Sequence, residues 1–200
     1  MTLSFSVNWD YRCPFARNAH EHLVTGLRAG ADWDVTFVAF SLDQAHVAEG
    51  EAPVFDRPAD FPALFVNQAG IVVRDRYPDR FFDAHLALFA ARHDRGLDVR
   101  DREVVTGVLG ELGLPVAEIT AAIDEGWPLE VYRKEHTGWV EEHRAFGVPT
   151  FVRDGQAVFV RLMHRPAGNG PLAVSTVERV VDLVAGWPEL NELKHTTIPR

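Results

Sequence analysis

The start of the chain changes its hydrophobic period twice, and this change limits the possible folds more than any other feature. Apolar and polar residues alternate from Leu3 to Trp9, which predicts a β-strand. Apolar residues then recur every four positions from Phe15 to Leu27, which predicts a helix ending near Gly30. Val35 to Phe40 has the β-branched and aromatic residues of a second strand. We expect the two strands to pair in parallel through a right-handed crossover.

The middle of the chain is predicted to be helical. Residues 41–62 have no clear period and contain three prolines, which is typical of a loop. Residues 63–146 form the predicted helical block, with helices over 81–93, 99–112, 115–125 and 129–146.

The end of the chain is predicted to return to the sheet. Thr150–Val152 and Ala157–Arg161 are short predicted strands, and Asp154-Gly155 between them is a hairpin signal. Apolar residues at helical spacing from Val174 to Val184 predict a last helix, and residues 187–200 are predicted to be irregular. The order is therefore β-α-β, a helical block, then β-β-α, which favours an α/β fold.

Composition limits the classes of partner. Hydrophobic residues make up 46% of the 200 residues, and the formal net charge is −9. The excess of acidic residues argues against nucleic acid or an anionic membrane as the main partner. We find no secretory signal and no apolar run long enough to span a bilayer, and the single cysteine excludes an intrachain disulfide. These features predict a cytoplasmic protein.

The single cysteine, Cys13, lies where the first predicted strand gives way to the first predicted helix. Free N–H groups and the helix dipole favour an anion at that position, so we expect the Cys13 pKa to be lowered, with Arg12 beside it. Pro14 suits the first turn of a helix. A small buried cysteine without reactivity is the alternative, since that is the usual state of a single thiol.

The nine histidines do not predict a metal site. His20 and His22 are two positions apart, so they lie on different faces of the predicted helix. No His-Glu-x-x-His motif is present, and no third ligand accompanies His136 and His143.

Two segments resemble the thioredoxin fold and, within it, the DsbA family. They are Cys13-Pro14-Phe15-Ala16 and Phe146-Gly147-Val148-Pro149-Thr150. The long helical segment between them resembles the DsbA-type insertion. The resemblance implies a thioredoxin-like domain of residues 1–62 and 147–200, interrupted by a helical insertion domain of residues 63–146. Residues 184–194 also look like actinobacterial members, including mycothiol-dependent nitroreductases.

The resemblance implies roles for individual residues. Cys13 would be the catalytic nucleophile, and Pro149 the cis-proline that faces it. The candidate substrate-binding residues are Arg12, Pro14, Phe15, Val148 and Thr150.

One departure from the family changes the expected chemistry. Ala16 occupies the position of the second cysteine in the usual Cys-x-x-Cys motif, so no internal thiol can release a mixed disulfide. The resemblance then implies an oxidoreductase with one cysteine. It would use a low-molecular-weight thiol, mycothiol or glutathione, as co-substrate, without a tightly bound cofactor. Its substrates would be small-molecule or protein disulfides.

Two other functions fit the same resemblance. Kappa-class glutathione transferases and 2-hydroxychromene-2-carboxylate isomerases share the fold and bind the small thiol as a cofactor. In that class Cys13 would steady the thiolate of the cofactor. A binding protein without catalysis is the third possibility.

Overall fold

A computed structural model describes residues 1–195, which form a four-stranded sheet, eight α-helices and two short 3-10 turns. The strands are β1 (Leu3–Trp9), β2 (Trp33–Ala39), β3 (Thr150–Arg153) and β4 (Gln156–Phe159). The helices are α1 (Pro14–Arg28), α2 (Leu42–Ala45), α3 (Leu64–Arg76), α4 (Pro78–His93), α5 (Arg102–Glu111), α6 (Val116–Asp124), α7 (Trp127–His143) and α8 (Gly170–Gly186). Residues 196–200 of the predicted irregular tail lie outside this range.

The sheet has the order β2-β1-β3-β4, with β1 and β2 parallel and the other neighbours antiparallel. The parallel pairing predicted from the β-α-β start is thus confirmed, in a register that sets Leu3 opposite Trp33 and Trp9 opposite Ala39. Phe5, Val7 and Trp9 are all buried, so the alternation in β1 places one row of side chains in the core.

Helices cover the sheet and connect the helical block to it. Helix α8 packs against α1 and against β3 and β4, while α4 packs against α1 and α7 against β2. One hydrophobic cluster includes buried residues of both the sheet and the helical block. Helix α1, which directly follows Cys13, is therefore supported by both parts of the chain.

Several boundaries differ from the predictions for local reasons. The segment predicted as an unbroken loop over 41–62 contains α2, because the Ser41 side chain accepts a hydrogen bond from the Gln44 N–H and starts a helical turn. Helix α5 begins at Arg102 rather than Val99, because Asp101 caps its first turn. Helix α7 ends at His143 because Arg144 adopts the left-handed conformation, with φ of 54°.

The predicted hairpin turn is present between β3 and β4. Asp154 and Gly155 have φ values of 50° and 74°, the pair of positive values that a type I′ turn requires. The turn brings Phe159 opposite Thr150, so the end of β4 lies beside the start of β3.

Across residues 1–195, no helix combines the length and the apolar character needed to cross a bilayer.

Candidate active site

Cys13 is the residue that caps the N-terminus of α1. Its backbone is extended, with φ of −89° and ψ of 119°, and its sulfur accepts a hydrogen bond from the Ala16 N–H at 3.4 Å. The Cys13 N–H donates to the Asp10 carbonyl oxygen at 3.0 Å, which closes the turn between β1 and α1. Pro14 follows as the first helical residue and is exposed. The side chain of Cys13 therefore stands at the positive end of the helix dipole.

The loop before β3 faces this thiol. The peptide bond between Val148 and Pro149 is cis. The Cys13 thiol donates a hydrogen bond to the Val148 carbonyl oxygen at 3.2 Å. The Pro149 carbonyl oxygen accepts from the Val160 N–H at 3.0 Å, so the far side of the loop is tied to the end of β4. The structure thus brings Cys13, Val148 and Pro149 together, as the resemblance implies.

The expected lowering of the Cys13 pKa is wrong. Burial raises the pKa of the Cys13 thiol, and the Asp10 carboxylate acts in the same direction. The N–H groups of Ala16 and Phe15 and the Arg161 guanidinium lower this pKa but do not overcome burial. The side chain that sequence reasoning placed beside the thiol, Arg12, is held elsewhere.

Asp10 holds Arg12 away from the thiol. The buried Asp10 carboxylate accepts hydrogen bonds from the N–H groups of Arg12, at 2.9 Å, and Leu42, at 3.0 Å. The Arg12 guanidinium lies 3.4 Å from Asp10 and 2.9 Å from Asp43. Arg12 is thus neutralised by two carboxylates and fixes the loop between β1 and α1 to the start of α2.

Asn8 fixes the position of the loop before β3. Its side-chain amide donates to the Gly147 carbonyl oxygen at 3.1 Å and accepts from the Thr150 N–H at 2.6 Å. The Thr150 hydroxyl donates to the same Gly147 oxygen at 2.9 Å. Asn8 and Thr150 are buried, so these bonds are shielded from water. The polar groups of Thr150 are therefore used within the loop.

A buried series of hydrogen bonds connects His85 of α4 to Tyr11, which precedes Cys13 in the sequence, and to His20, which follows it. The Tyr11 hydroxyl lies 2.8 Å from His85 Nδ1, and His85 Nε2 lies 2.9 Å from His20 Nδ1. His20 Nε2 lies 3.0 Å from the Asn8 carbonyl oxygen. All four residues have no exposed surface.

The last acceptor in this series of hydrogen bonds, the Asn8 carbonyl oxygen, determines which ring nitrogen carries the hydrogen in His20 and in His85. The Asn8 carbonyl only accepts, so His20 Nε2 carries a hydrogen and neutral His20 accepts at Nδ1. His85 then donates from Nε2, and its Nδ1 accepts from the Tyr11 hydroxyl. Burial lowers the pKa of His20 to about 4 and lowers that of His85 as well, which keeps both rings neutral. The series is fully satisfied only with both histidines uncharged.

The remaining candidate residue, Phe15, lies half-buried at the start of α1. The Arg161 guanidinium stacks over its ring, with 5.1 Å between Cζ and the ring centroid. Nowhere in residues 1–195 do three or more His, Cys, Asp or Glu side chains gather as metal ligands would.

Sequence reasoning missed the residues that support the site. Asn8 lies near the end of β1 and Asp10 directly follows the strand; both are polar and buried, and only the strand prediction combined with their burial would have singled them out. Phe146 begins the second motif and Arg161 lies eleven residues after its last residue, but nothing in the local pattern indicates that both contact Phe159. His85 is far from Tyr11 and His20 in sequence and becomes their partner only through the packing of α4.

Comparison with known proteins gives matches among solved structures only. No family model and no curated protein matches the chain. The cytosolic disulfide reductase DsbM from Pseudomonas aeruginosa, solved with GSH, has 16% identity and a TM-score of 0.60 over 90% of this chain and 100% of that one. A 2-hydroxychromene-2-carboxylate isomerase has 15% identity and a TM-score of 0.61 over 90% and 97% of the two chains.

A third match is reduced DsbA1 from Neisseria meningitidis, with 16% identity and a TM-score of 0.56 over 90% of this chain and 84% of that one. At such low identities these matches establish the fold. The chain has the α/β thioredoxin fold with a helical insertion that is found in DsbA-like proteins.

Proposed function

We propose that this protein is a thiol-dependent oxidoreductase that works with Cys13 alone. Its co-substrate is a low-molecular-weight thiol, mycothiol or glutathione, and no cofactor is tightly bound. The observation that carries the proposal is the position of the Cys13 sulfur, between the Ala16 N–H and the Val148 carbonyl and beside the cis peptide bond. The groups around the Cys13 sulfur suit a reacting thiol. A second cysteine is missing, because Ala16 occupies the second cysteine position of the Cys-x-x-Cys motif.

The proposed reaction has two exchanges. The Cys13 thiolate attacks a disulfide R′–S–S–R′, forms the mixed disulfide Cys13–S–S–R′ and releases R′–S⁻. The thiolate of a small thiol R–SH then attacks the R′ sulfur, which gives R–S–S–R′ and regenerates the Cys13 thiolate. Each exchange makes one S–S bond and breaks one, and the electrons for the reduction come from the small thiol.

The surrounding residues support this chemistry in different ways. The Ala16 N–H already points at the sulfur and stabilises the negative charge that develops there. The Val148 carbonyl, next to Pro149, is placed to accept a hydrogen bond from an amide of the bound thiol. In this proposal, Pro14 and Phe15 form the wall of the substrate-binding site at the start of α1. A reducing, cytoplasmic setting belongs to the proposal, since an exchange site with a single cysteine needs a supply of free thiol.

A second function is favoured by the protonated state of Cys13. Burial raises the thiol pKa, so at neutral pH Cys13 carries a hydrogen and donates it to Val148. A protonated thiol can instead donate to the thiolate of a bound small thiol. That arrangement suits a transferase or isomerase in which the small thiol is a cofactor and Cys13 never becomes oxidised.

Two substitutions of Cys13 distinguish these functions. Turnover of a small disulfide by glutathione or mycothiol, measured by steady-state kinetics, should be lost in both Cys13→Ser and Cys13→Ala. A transferase or isomerase would keep its activity in Cys13→Ser, because a hydroxyl also donates a hydrogen bond, and lose it in Cys13→Ala. A wild type without turnover in any of these assays would leave a binding protein without catalysis, and equal turnover by the wild type and both variants would show that Cys13 does not take part.

A further inference from the structure

Three aromatic rings and one cation form a surface cluster beside the thiol. The Arg161 guanidinium lies over Phe15 and Phe159, with 5.1 Å and 5.4 Å between Cζ and the ring centroids. Phe159 packs on Phe146 with centroids 5.2 Å apart, and Phe146 is 71% exposed. We call these four residues the Arg161 patch.

The Arg161 patch gathers the segments that surround Cys13. Phe15 lies in the first turn of α1, and Phe146 directly precedes the Gly147-Val148-Pro149 loop. Phe159 pairs with Thr150 at the end of β4, and Arg161 follows it. The Arg161 charge also acts on the Cys13 thiol, which places this cation within electrostatic range of the sulfur. A molecule bound at Cys13 therefore has the Arg161 patch within reach.

Arg161 differs from the other arginines near the thiol, because no carboxylate within residues 1–195 pairs with it. Arg12 is paired with Asp10 and Asp43, and Arg17 is paired with Asp94. Arg161 has no salt bridge and no side-chain hydrogen bond to any of residues 1–195. Acidic residues outnumber basic ones, 29 to 20, so a free guanidinium beside the site is not a consequence of too few carboxylates. Stacking occupies the faces of the guanidinium and leaves its N–H edge available.

We propose that the Arg161 patch is the anion-binding subsite of the Cys13 site. Its ligand is a small-molecule substrate that carries a carboxylate on a planar, apolar body. The carboxylate accepts paired hydrogen bonds from the N–H edge of Arg161, and the planar body lies on the exposed face of Phe146. This inference rests on the proposed function in one respect: it assigns the substrate class of that same site.

Two aromatic disulfide reagents of different charge test the subsite. One is 5,5′-dithiobis(2-nitrobenzoate), which carries carboxylates, and the other is 4,4′-dithiodipyridine, which is neutral. The ratio of their rates of reaction with Cys13 removes any effect of a substitution on the thiol pKa, since both reagents need the same thiolate. In Arg161→Ala this ratio should fall about tenfold, the size expected for a lost hydrogen bond to a charged group.

The matched control is Arg179→Ala. Arg179 is also exposed and lies beside Leu3 and Arg153, near the start of β1 rather than its Cys13 end. Arg179→Ala removes the same charge from the chain and should leave the ratio unchanged. Arg161→Lys, which keeps the charge but loses the planar edge, should give an intermediate ratio. An unchanged ratio in Arg161→Ala, or an equal fall in Arg179→Ala, would overturn the proposal.

A binding measurement separates the subsite from the proposed function. Benzoate and its neutral counterpart benzamide are titrated into the wild type and followed by amide NMR shifts. Benzoate alone should shift signals of the Phe146 and Arg161 region, and Arg161→Ala should abolish these shifts. Benzoate binding without thiol-dependent turnover would reject the proposed function and retain the subsite. No selective benzoate shift would reject the subsite even if turnover is observed.

Discussion

The sulfur of Cys13 lies 3.2 Å from the carbonyl oxygen of Val148, so the thiol hydrogen has an acceptor. A thiolate in the same position loses this bond and faces the negative end of a carbonyl dipole. The Ala16 N–H, 3.4 Å from the sulfur, is the group that favours the thiolate. In the site without a ligand, Cys13 is therefore a protonated thiol, and deprotonation is the step that makes it reactive.

We predict that alkylation of Cys13 by iodoacetamide has a pH midpoint above the ordinary thiol value of about 8.5. The cause is burial, which raises the pKa of the thiol. The folded state then holds its proton more tightly than the unfolded state. The resulting stabilisation is complete below the ordinary pKa and is lost as the pH rises through the raised one. A midpoint below 8 would mean that the helix dipole outweighs burial.

We predict that Ala16→Cys forms an internal disulfide with Cys13 under mild oxidation. Cys13 and Ala16 lie one turn apart at the start of α1, where the Ala16 N–H already contacts the Cys13 sulfur. In mass spectrometry, the oxidised variant should be lighter than the reduced variant by two hydrogens. It should not carry the small-thiol adduct that the oxidised wild type carries. Ala19→Cys is the control, since it is also buried in α1 but lies too far along the helix to reach Cys13. Bridging of both variants would contradict the geometry.

We predict that Asn8→Ala destabilises the protein by about 1–3 kcal/mol. The substitution leaves the buried Thr150 N–H without a partner, which costs about that much, whereas the Gly147 carbonyl keeps its hydrogen bond from the Thr150 hydroxyl. Urea denaturation at neutral pH measures the loss. Ser6→Ala, at a half-buried position of the same strand, should change the free energy of unfolding far less. Similar losses in the two variants would show that Asn8 does not hold the loop.

We predict that stability falls as the pH is lowered from 6.5 towards 4, because His20 and His85 are buried as neutral rings. The His20 pKa is lowered to about 4 in the folded state, whereas an unfolded histidine titrates near 6.5. The unfolded state binds more protons in this window, so each such histidine removes about 1.4 kcal/mol per pH unit. Urea denaturation across the pH range gives the slope. The slope should be smaller in His85→Gln. An unchanged slope would show that groups other than His85 cause the pH dependence of stability.

The sheet could be predicted from sequence because its signals are local. The alternation from Leu3 to Trp9, the turn at Asp154-Gly155 and the Gly-Val-Pro-Thr run each act within a few residues. Helix ends were less predictable, because a cap such as Asp101 or a left-handed residue such as Arg144 decides them.

The site was only partly predictable because its supporting contacts are long-range. Cys13 and Pro149 could be identified from short motifs. The pKa of Cys13 could not, since it depends on how deeply packing buries the sulfur and on which carboxylates hold Arg12. The pairing of Tyr11 with His85 likewise arises only when α4 packs against α1.

The state of Cys13 during turnover is the most direct test of whether it reacts as the single catalytic cysteine. The protein is mixed with a small disulfide and a limiting amount of glutathione or mycothiol, quenched with an alkylating agent and analysed by mass spectrometry. We predict a mixed disulfide on Cys13 whose occupancy falls as the concentration of free thiol is increased. A Cys13 that is always recovered alkylated and never carries an adduct, while substrate is consumed, would contradict chemistry at a single reacting cysteine.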